Sequence, residues 1–529
     1  MILGEILGDR AEAGQQPANG PSHTIDQLFH RLAARQPGAV ALVDAPNRET
    51  FTDGAPRRLT FAAADRMISA IAGRLLHMGL PTDAVVGIQL PNTVENILTI
   101  LGVLRAGMIA APLPLLWRRA DGFAALTRAG AKALITCRRV GNFSHGQFAT
   151  HLAADVFSIR YVCGFGPDPP DGVVTLDDLF TAAALDPIPP LDRDRKGNAA
   201  AHLAVITFES GADGPLPVAR RHLELLAGGM SVLLESKLEQ GSSILSTIAP
   251  ASFPGICLTL VPWLLSGGTL VLHHPFDADT FARQRHDEDC PTLILPGPVA
   301  FALADSGLFA TDGPTTILAA WPAPERLAGS ADWVTPHAAL VDIPIFGEAG
   351  LVAARRDAGG RPEPIVLGPV TAPRAGNGTA VVEFAATASN TLALRGAMVP
   401  HHSFPPGIER SDQPHFAIGH DGWVDSGYGC WVNPIRATAV ITTVPAGMVS
   451  VGGYRLPLQG LTQVVSGIDS GASLSVVPDP LIGHRLVGQA ADGAAMVAAL
   501  DALGINPLVA SAFAAAGASM QSTPALTGH

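Results

Sequence analysis

Residues 84–112 read AVVGIQLPNTVENILTILGVLRAGMIAAP, and their pattern decides the fold class. Ala84–Leu90 is an apolar run closed by Pro91-Asn92. Val94–Leu104 then places apolar residues at helical spacing, and Met108–Pro112 is apolar again. Short apolar runs bounded by turn residues read as buried strands, and a strand–helix–strand order implies a parallel pair with a crossing helix. The pattern continues with a helix over Asp121–Ala129 and a strand over Ala133–Thr136. The expected class is α/β, with a largely parallel sheet covered by helices.

Working outward, Phe165–Asp194 is rich in Pro and Asp and reads as loop. A second unit begins with a strand over Ala204–Phe208. Ser210–Pro215 must turn, and a helix follows with Leu223, Leu226, Met230, Leu233 and Leu234 on one face. Further β-α alternation runs to about Val352, and Pro362–Trp431 has the short strands and Pro/Gly turns of a small β-barrel-like part. After Pro434 come α and β signals at Met448–Val451, Ala472–Val477, Gly493–Leu503 and Leu508–Ala515. The expected organisation is a flexible leader over 1–22, a large domain over 23–433, a small α+β domain over 434–515 and a flexible tail over 516–529.

Composition narrows the function. Of 529 residues, 47% are apolar and 15% charged, which excludes a disordered chain. A net charge of −12 argues against nucleic acid, whose phosphates need clustered Lys and Arg. The cysteines Cys137, Cys163, Cys257, Cys290 and Cys430 lack metal-type spacing and read as reduced thiols of a cytoplasmic protein. Gly241–Leu272 has no charged residue, but Pro250, Pro254, Pro262 and Gly267-Gly268 interrupt it, so no membrane span is expected. Lysine occurs only at Lys132, Lys196 and Lys237.

Several short pieces occur in a telling order. Leu59-Thr60-Phe61 precedes a helix ending His77-Met78-Gly79, followed by Gly87–Asn92 and Gly102–Gly107. Late in the chain come Asp421-Gly422-Trp423, Gly452–Leu456 and Asp479–His484. From about Thr24 to Gly488 this succession resembles the adenylate-forming, or AMP-binding, superfamily, and acyl-CoA synthetases in particular. The resemblance implies a large N-terminal domain of two β-α subdomains plus a small β-barrel-like part, then a small C-terminal domain, with the site between them. It also implies ATP with Mg²⁺, and coenzyme A as the thiol that receives the acyl group from an acyl-adenylate. The small-molecule partner it implies is a carboxylic acid or acyl ligand; a homo-oligomer is compatible with it.

The motifs that carry this chemistry depart from the family pattern. The phosphate loop, roughly T-S-G-T-T-G-x-P-K-G, is here Glu209–Val218, which keeps Ser210, Gly211 and Gly214 but has no lysine. Arg220 and Arg221 lie just beyond as candidate phosphate cations, on the expected first turn of the helix. In the Y-G-x-T-E motif, Phe346 persists as either an adenine platform or a core residue, Gly347 follows it as a nucleotide-binding candidate, and Ala349 and Gly350 replace the Thr and the Mg²⁺-binding Glu. Glu348 falls two residues early and is expected to point elsewhere. Tyr428 stands where the ribose carboxylate would be, and a phenol cannot chelate two hydroxyls. Phe253 and Ile256 fall in the segment that would line the acyl pocket. His401, His402, His415 and His420 match no metal-site spacing, and no metal ligand is assigned. Three functions follow: an acyl-CoA synthetase-like protein that binds an acid or acyl ligand with adenylation weak or lost; an active acid–thiol ligase using Arg220, Arg221 or Arg455 as substitutes; or a non-catalytic structural or regulatory partner of an active relative.

Overall fold

A computed structural model describes residues 23–180, 198–310, 313–335, 337–371 and 380–514. The expected leader, the tail and part of the expected loop 165–194 lie outside the described residues. Two large sheets, a six-stranded antiparallel sheet and a four-stranded one make up the molecule.

The stretch that opens the sequence reading forms strand Val85–Gln89, helix Val94–Arg105 and strand Ile109–Pro112, the two strands pairing in parallel. They lie in a seven-stranded sheet with Ala133–Cys137, Tyr161–Phe165, Val173–Thr175, Leu203–Gly211 and Gly214–Arg221. All twelve residues of helix Val94–Arg105 are buried. The charged members of a helix buried on every side need partners from the protein. Glu95 accepts from Arg48 and from Arg57 Nε at 2.6 Å, and Arg105 donates to Ser69 Oγ and the Asp65 carboxylate.

The nine-stranded sheet joins Val40–Val43 and Arg58–Thr60 to a parallel core of Ile244–Ser246, Leu270–Leu272, Thr292–Pro296, Thr316–Trp321 and Ala339–Phe346. The charge-free run 241–272 is broken into short pieces here, and among the described residues no helix is long and apolar enough to cross a membrane. Trp263 packs with Phe29 and Phe61 at ring-centroid distances of 5.6 and 6.3 Å, its indole N–H donating to the Gly268 carbonyl at 2.9 Å.

The six-stranded sheet runs from Ile365–Val366 to Thr438–Thr443 in sequence. Pro434 lies in the turn joining strand Val424–Asn433 to strand Thr438–Thr443 of that sheet. The four-stranded sheet starts at Met448, so the change of sheet falls after Thr443 rather than at Pro434. That last unit has its own core, built on Val449, Leu456, Val465, Leu486, Leu500 and Phe513. It meets the rest of the chain through Tyr454, whose hydroxyl accepts from Leu116 N at 3.2 Å, and through Arg326, which donates to the Asp479 carbonyl at 3.0 Å.

Candidate active site

The turn at 210–215 leads not into a helix but into a second strand. Gly211 and Gly214 close an antiparallel hairpin, Gly214 at φ +96°, and Gly214–Arg221 pairs back along Leu203–Gly211. The helix begins only at His222, with Arg221 as its N-cap residue. The tip carbonyls of Asp213 and Pro215 accept from Arg128 at 2.8 and 2.7 Å. The expectation that Arg220 and Arg221 form the solvated first turn of a helix is therefore corrected. Arg220 is 0% exposed. Arg221 turns back to Glu224, its Nε 2.8 Å from the carboxylate, which also accepts from His401 Nδ1 at 2.9 Å. Burial alone would raise the Glu224 carboxyl, yet the His401 hydrogen bond and the Arg221 charge hold it below its ordinary range.

Where the nucleotide motifs converge, the chain fills the space with its own charges. The Glu209 carboxylate is ion-paired with the guanidinium of Arg455, on strand Tyr454–Pro457 of the last unit. It also accepts from Ser210 N at 2.9 Å and Glu348 N at 2.7 Å. Ser210 Oγ donates to the Arg455 carbonyl at 2.8 Å, a second tie between the same strands. Gly347, at φ +60°, leaves the room: a Cβ there would collide with both Arg455 and Glu209. Burial opposes the Arg455 charge, but the adjacent Glu209 carboxylate holds it protonated above its ordinary range.

Tyr428, 1% exposed, crosses Phe346 edge to face at 5.9 Å, and burial pushes its phenol upward. Phe346 also meets Phe384 at 6.0 Å and is itself buried. Asp425 faces away, accepting from Thr391 Oγ1 at 2.9 Å.

Behind this cluster lies a second one. Arg220 donates to the carbonyls of Met398 and Glu348, and its guanidinium lies 3.9 Å from the centroid of the Phe253 ring. The Glu348 carboxylate turns inward and accepts from Phe253 N at 3.0 Å. Burial pushes its pKa up to about 7, with Arg220 opposing the shift. Glu348 is thus part of the site, contrary to the expectation that it points elsewhere. Phe253 and Ile256 are both fully buried in the main core.

The structure thus brings Ser210, Gly347, Phe346, Tyr428 and the previously unassigned Glu209 together around Arg455. It places Arg220, Phe253 and Glu348 in an adjoining buried layer, and leaves Arg221 and the tip of the hairpin to separate partners. Arg128 carried no signal in the sequence. Arg455 lay within the landmark Gly452–Leu456, but its partner was not legible there. Among the described residues no group of His, Cys, Asp and Glu is arranged to hold a metal ion. A cavity of about 470 Å³ lies elsewhere, at the carboxyl ends of the seven-stranded sheet, lined by residues including Arg57, Thr93, Cys137 and Asp177.

A sequence profile of the AMP-binding enzyme family matches residues 29–325, more than half of the chain. The chain is 27% identical over 287 residues to a probable non-canonical nonribosomal peptide synthetase, CymA, of Salinispora arenicola, covering 52% of this chain and 3% of that one. It is 25% identical over 288 residues to the sulfoacetate–CoA ligase of Cupriavidus necator, covering 54% of this chain and 53% of the ligase. The matched stretch therefore spans about half or less of the length of these relatives. Among solved structures, the amide bond synthetase McbA of Marinactinospora thermotolerans superimposes with a TM-score of 0.66 at 18% identity, over 91% of this chain and 94% of that one. Apo MbtA of Mycobacterium smegmatis superimposes with a TM-score of 0.63 at 18% identity, over 92% and 90%. These likenesses agree in an α/β fold with a large N-terminal and a smaller C-terminal domain.

Proposed function

This chain belongs to the AMP-binding enzyme family, and on that premise we propose that it is a member in which adenylation is weak or lost. The observation that carries this reading is the Arg455–Glu209 pair lodged beside Gly347 and Tyr428. Adenylation needs free cations at the phosphates, a carboxylate for Mg²⁺ and an acceptor for the ribose. Here the cation, Arg455, is neutralised internally, and the carboxylates of Glu209 and Glu348 already accept backbone N–H groups. No lysine follows Lys237. The residues present do not fit Mg·ATP. What the site does in this arrangement is fasten the last unit to the hairpin Leu203–Arg221. Five buried, unbonded cysteines fit a cytoplasmic setting.

ATP–pyrophosphate exchange over a panel of carboxylic acids, with calorimetry of Mg·ATP binding beside it, tests the reading. We expect no exchange and affinity no tighter than about millimolar, about −4 kcal/mol. Micromolar binding or measurable exchange overturns it in favour of an active acid–thiol ligase.

A second reading is recognition of an acid or acyl group, with or without coenzyme A, without its activation. The matched sulfoacetate–CoA ligase supports it, as does the 37% identity over 113 residues to a human protein named long-chain fatty acid transport protein 1, covering 21% of this chain and 16% of that one. Full burial of Phe253 and Ile256 weighs toward the non-catalytic structural or regulatory role instead. Thermal-shift screening with fatty acids and acyl-CoAs separates the two. A ligand at a hundred times its Kd adds about 2.7 kcal/mol of stability, and no shift with any of them leaves the structural role.

A further inference from the structure

The 470 Å³ cavity stands at a privileged place in the topology. After Val85–Gln89 the chain crosses to Ile109–Pro112 on one side of that strand, then returns to Ala133–Cys137 on its other side. The order reverses there, and open parallel sheets bind ligands in the crevice outside the carboxyl ends of strands at such a reversal. Leu90, Cys137 and Phe165, each at or just beyond the carboxyl end of a neighbouring strand, line this cavity, whose volume falls in the range of small-molecule sites. It lies apart from the Arg455–Glu209 cluster and shares no lining residue with it.

The cavity wall carries both signs of charge, and its hydrogen bonding is not complete. At the wall Arg48 and Arg57 pair with Glu95, Asp53 is paired with Arg138 and Arg139 from beyond the lining, and Asp177 is the third acid beside the two lining arginines. A wall that carries both signs of charge favours a ligand that carries both. Arg57 spends its Nε on Glu95 and holds its guanidinium 4.5 Å over the Phe180 ring, which leaves its terminal nitrogens to donate. Also in the lining, Asp53 Oδ2 is buried without a hydrogen-bond partner. Asp177 spends Oδ2 on Gly166 N at 2.7 Å and leaves Oδ1 to accept. Gly166 joins the two acids, since a Cβ there would stand 3.2 Å from Asp53 Oδ2. An unsatisfied buried carboxylate oxygen is costly, and a donor that reaches it is worth more than one in water.

We propose that this cavity binds a small zwitterion of the amino-acid class, its ammonium toward Asp53 and Asp177 and its carboxylate toward Arg57. The inference does not rest on the adenylation reading: an active or an inactive nucleotide site leaves it unchanged.

Calorimetry and thermal shift of the full chain with the free amino acids test it, with alkylamines, simple carboxylates and uncharged polyols as the other arms. At least one amino acid is expected to bind and to raise the melting temperature, while the singly charged analogues and the polyols do not. Asp177→Asn, which keeps the acceptor for Gly166 N, and Arg57→Gln are each expected to weaken that binding about tenfold or more. Should a variant fail to fold, the wild-type protein gives the same information. No binding by any amino acid, equal binding of polyols or amines, or unchanged affinity in both folded variants overturns the proposal.

Discussion

Replacing Arg455 by Met removes a buried cation while keeping much of the side-chain volume. The Arg455 and Glu209 side chains are 13% and 14% exposed, so solvent screens their pairing little. Removing one partner of a buried pair typically costs about 3–5 kcal/mol, because the other charge is left uncompensated. Glu209 is not left bare: its hydrogen bonds from Ser210 N and Glu348 N remain. Those bonds place the expected cost at the low end, about 3 kcal/mol. Adding Glu209→Gln removes the stranded charge, so the double variant should recover about 1–3 kcal/mol relative to the sum of the two single losses. The readout should be local, since a chain with two cores need not unfold in one step. Proteolysis within 444–447, between the last strand of the six-stranded sheet and Met448, reports separation of the last unit. R455M should accelerate that cleavage roughly a hundredfold, the equivalent of about 3 kcal/mol. Unchanged cleavage, or strictly additive losses in the double variant, would refute the view that these residues act as an interdomain latch.

Three further outcomes follow from burial and packing. Glu348 has a folded-state pKa of about 7 against an ordinary 4.5, so the folded chain holds a proton the unfolded chain has released; stability should fall as pH rises from 4.5 to 7, by at most about 3 kcal/mol, and denaturant titration should show E348Q free of that component. His145 is pushed down to about 3, first by burial and then by Arg118, so its contribution is intact above pH 6.5 and is lost below it at up to about 1.4 kcal/mol per pH unit; His145→Gln should flatten the acid limb of the same titration. Gly102 lets helix Val94–Arg105 press on helix Phe61–His77, where a Cβ would meet Ile71 at 2.7 Å; Gly102→Ala should cost about 1–3 kcal/mol by urea unfolding despite the better helix propensity of Ala.

The parallel core was legible because strands buried on both faces read as unbroken apolar runs, as Val85–Gln89 and Ile109–Pro112 do. Strand Gly214–Arg221 was not, because Pro215 and Pro217 look like loop and Arg220-Arg221 look like the start of a surface helix. It is the edge strand of its sheet, the one place where proline's missing N–H breaks no ladder. Pro434 misled in the opposite sense, since a hairpin turn and a domain boundary carry the same punctuation. At the site, the missing Lys, Glu and Asp could be read from the motifs, but what replaced their interactions could not. The terminal nitrogens of Arg220 donate to the carbonyls of residues 348 and 398, and Glu209 pairs with a guanidinium 246 positions away. Contacts of that reach depend on how two units are docked, which no local pattern encodes.

The loss of cations and the presence of the latch are linked by one electrostatic requirement. Glu209 is half-buried and Glu348 fully buried behind it, the backbone N–H of Glu348 bonded to the Glu209 carboxylate, whose charge adds to burial in raising the Glu348 pKa. Two ionised acids in such a region repel, and each needs a counter-charge or a proton. In a phosphate loop with no lysine, that counter-charge must come from farther along the chain. Arg455 supplies it to Glu209, and Glu348 answers with a pKa near neutrality, under the partial influence of the buried Arg220. Once Arg455 is committed in this way, any polyanion entering the site must compete with Glu209 for it while meeting that carboxylate's own repulsion. On the proposed reading, the same pair that ties the last unit to the hairpin Leu203–Arg221 also opposes a nucleotide, so a variant that loosens the tie should change phosphate affinity as well. Neutralising Glu209 alone frees the Arg455 guanidinium beside Gly347, so Glu209→Gln is the variant in which phosphate affinity should rise first if any capacity for it remains.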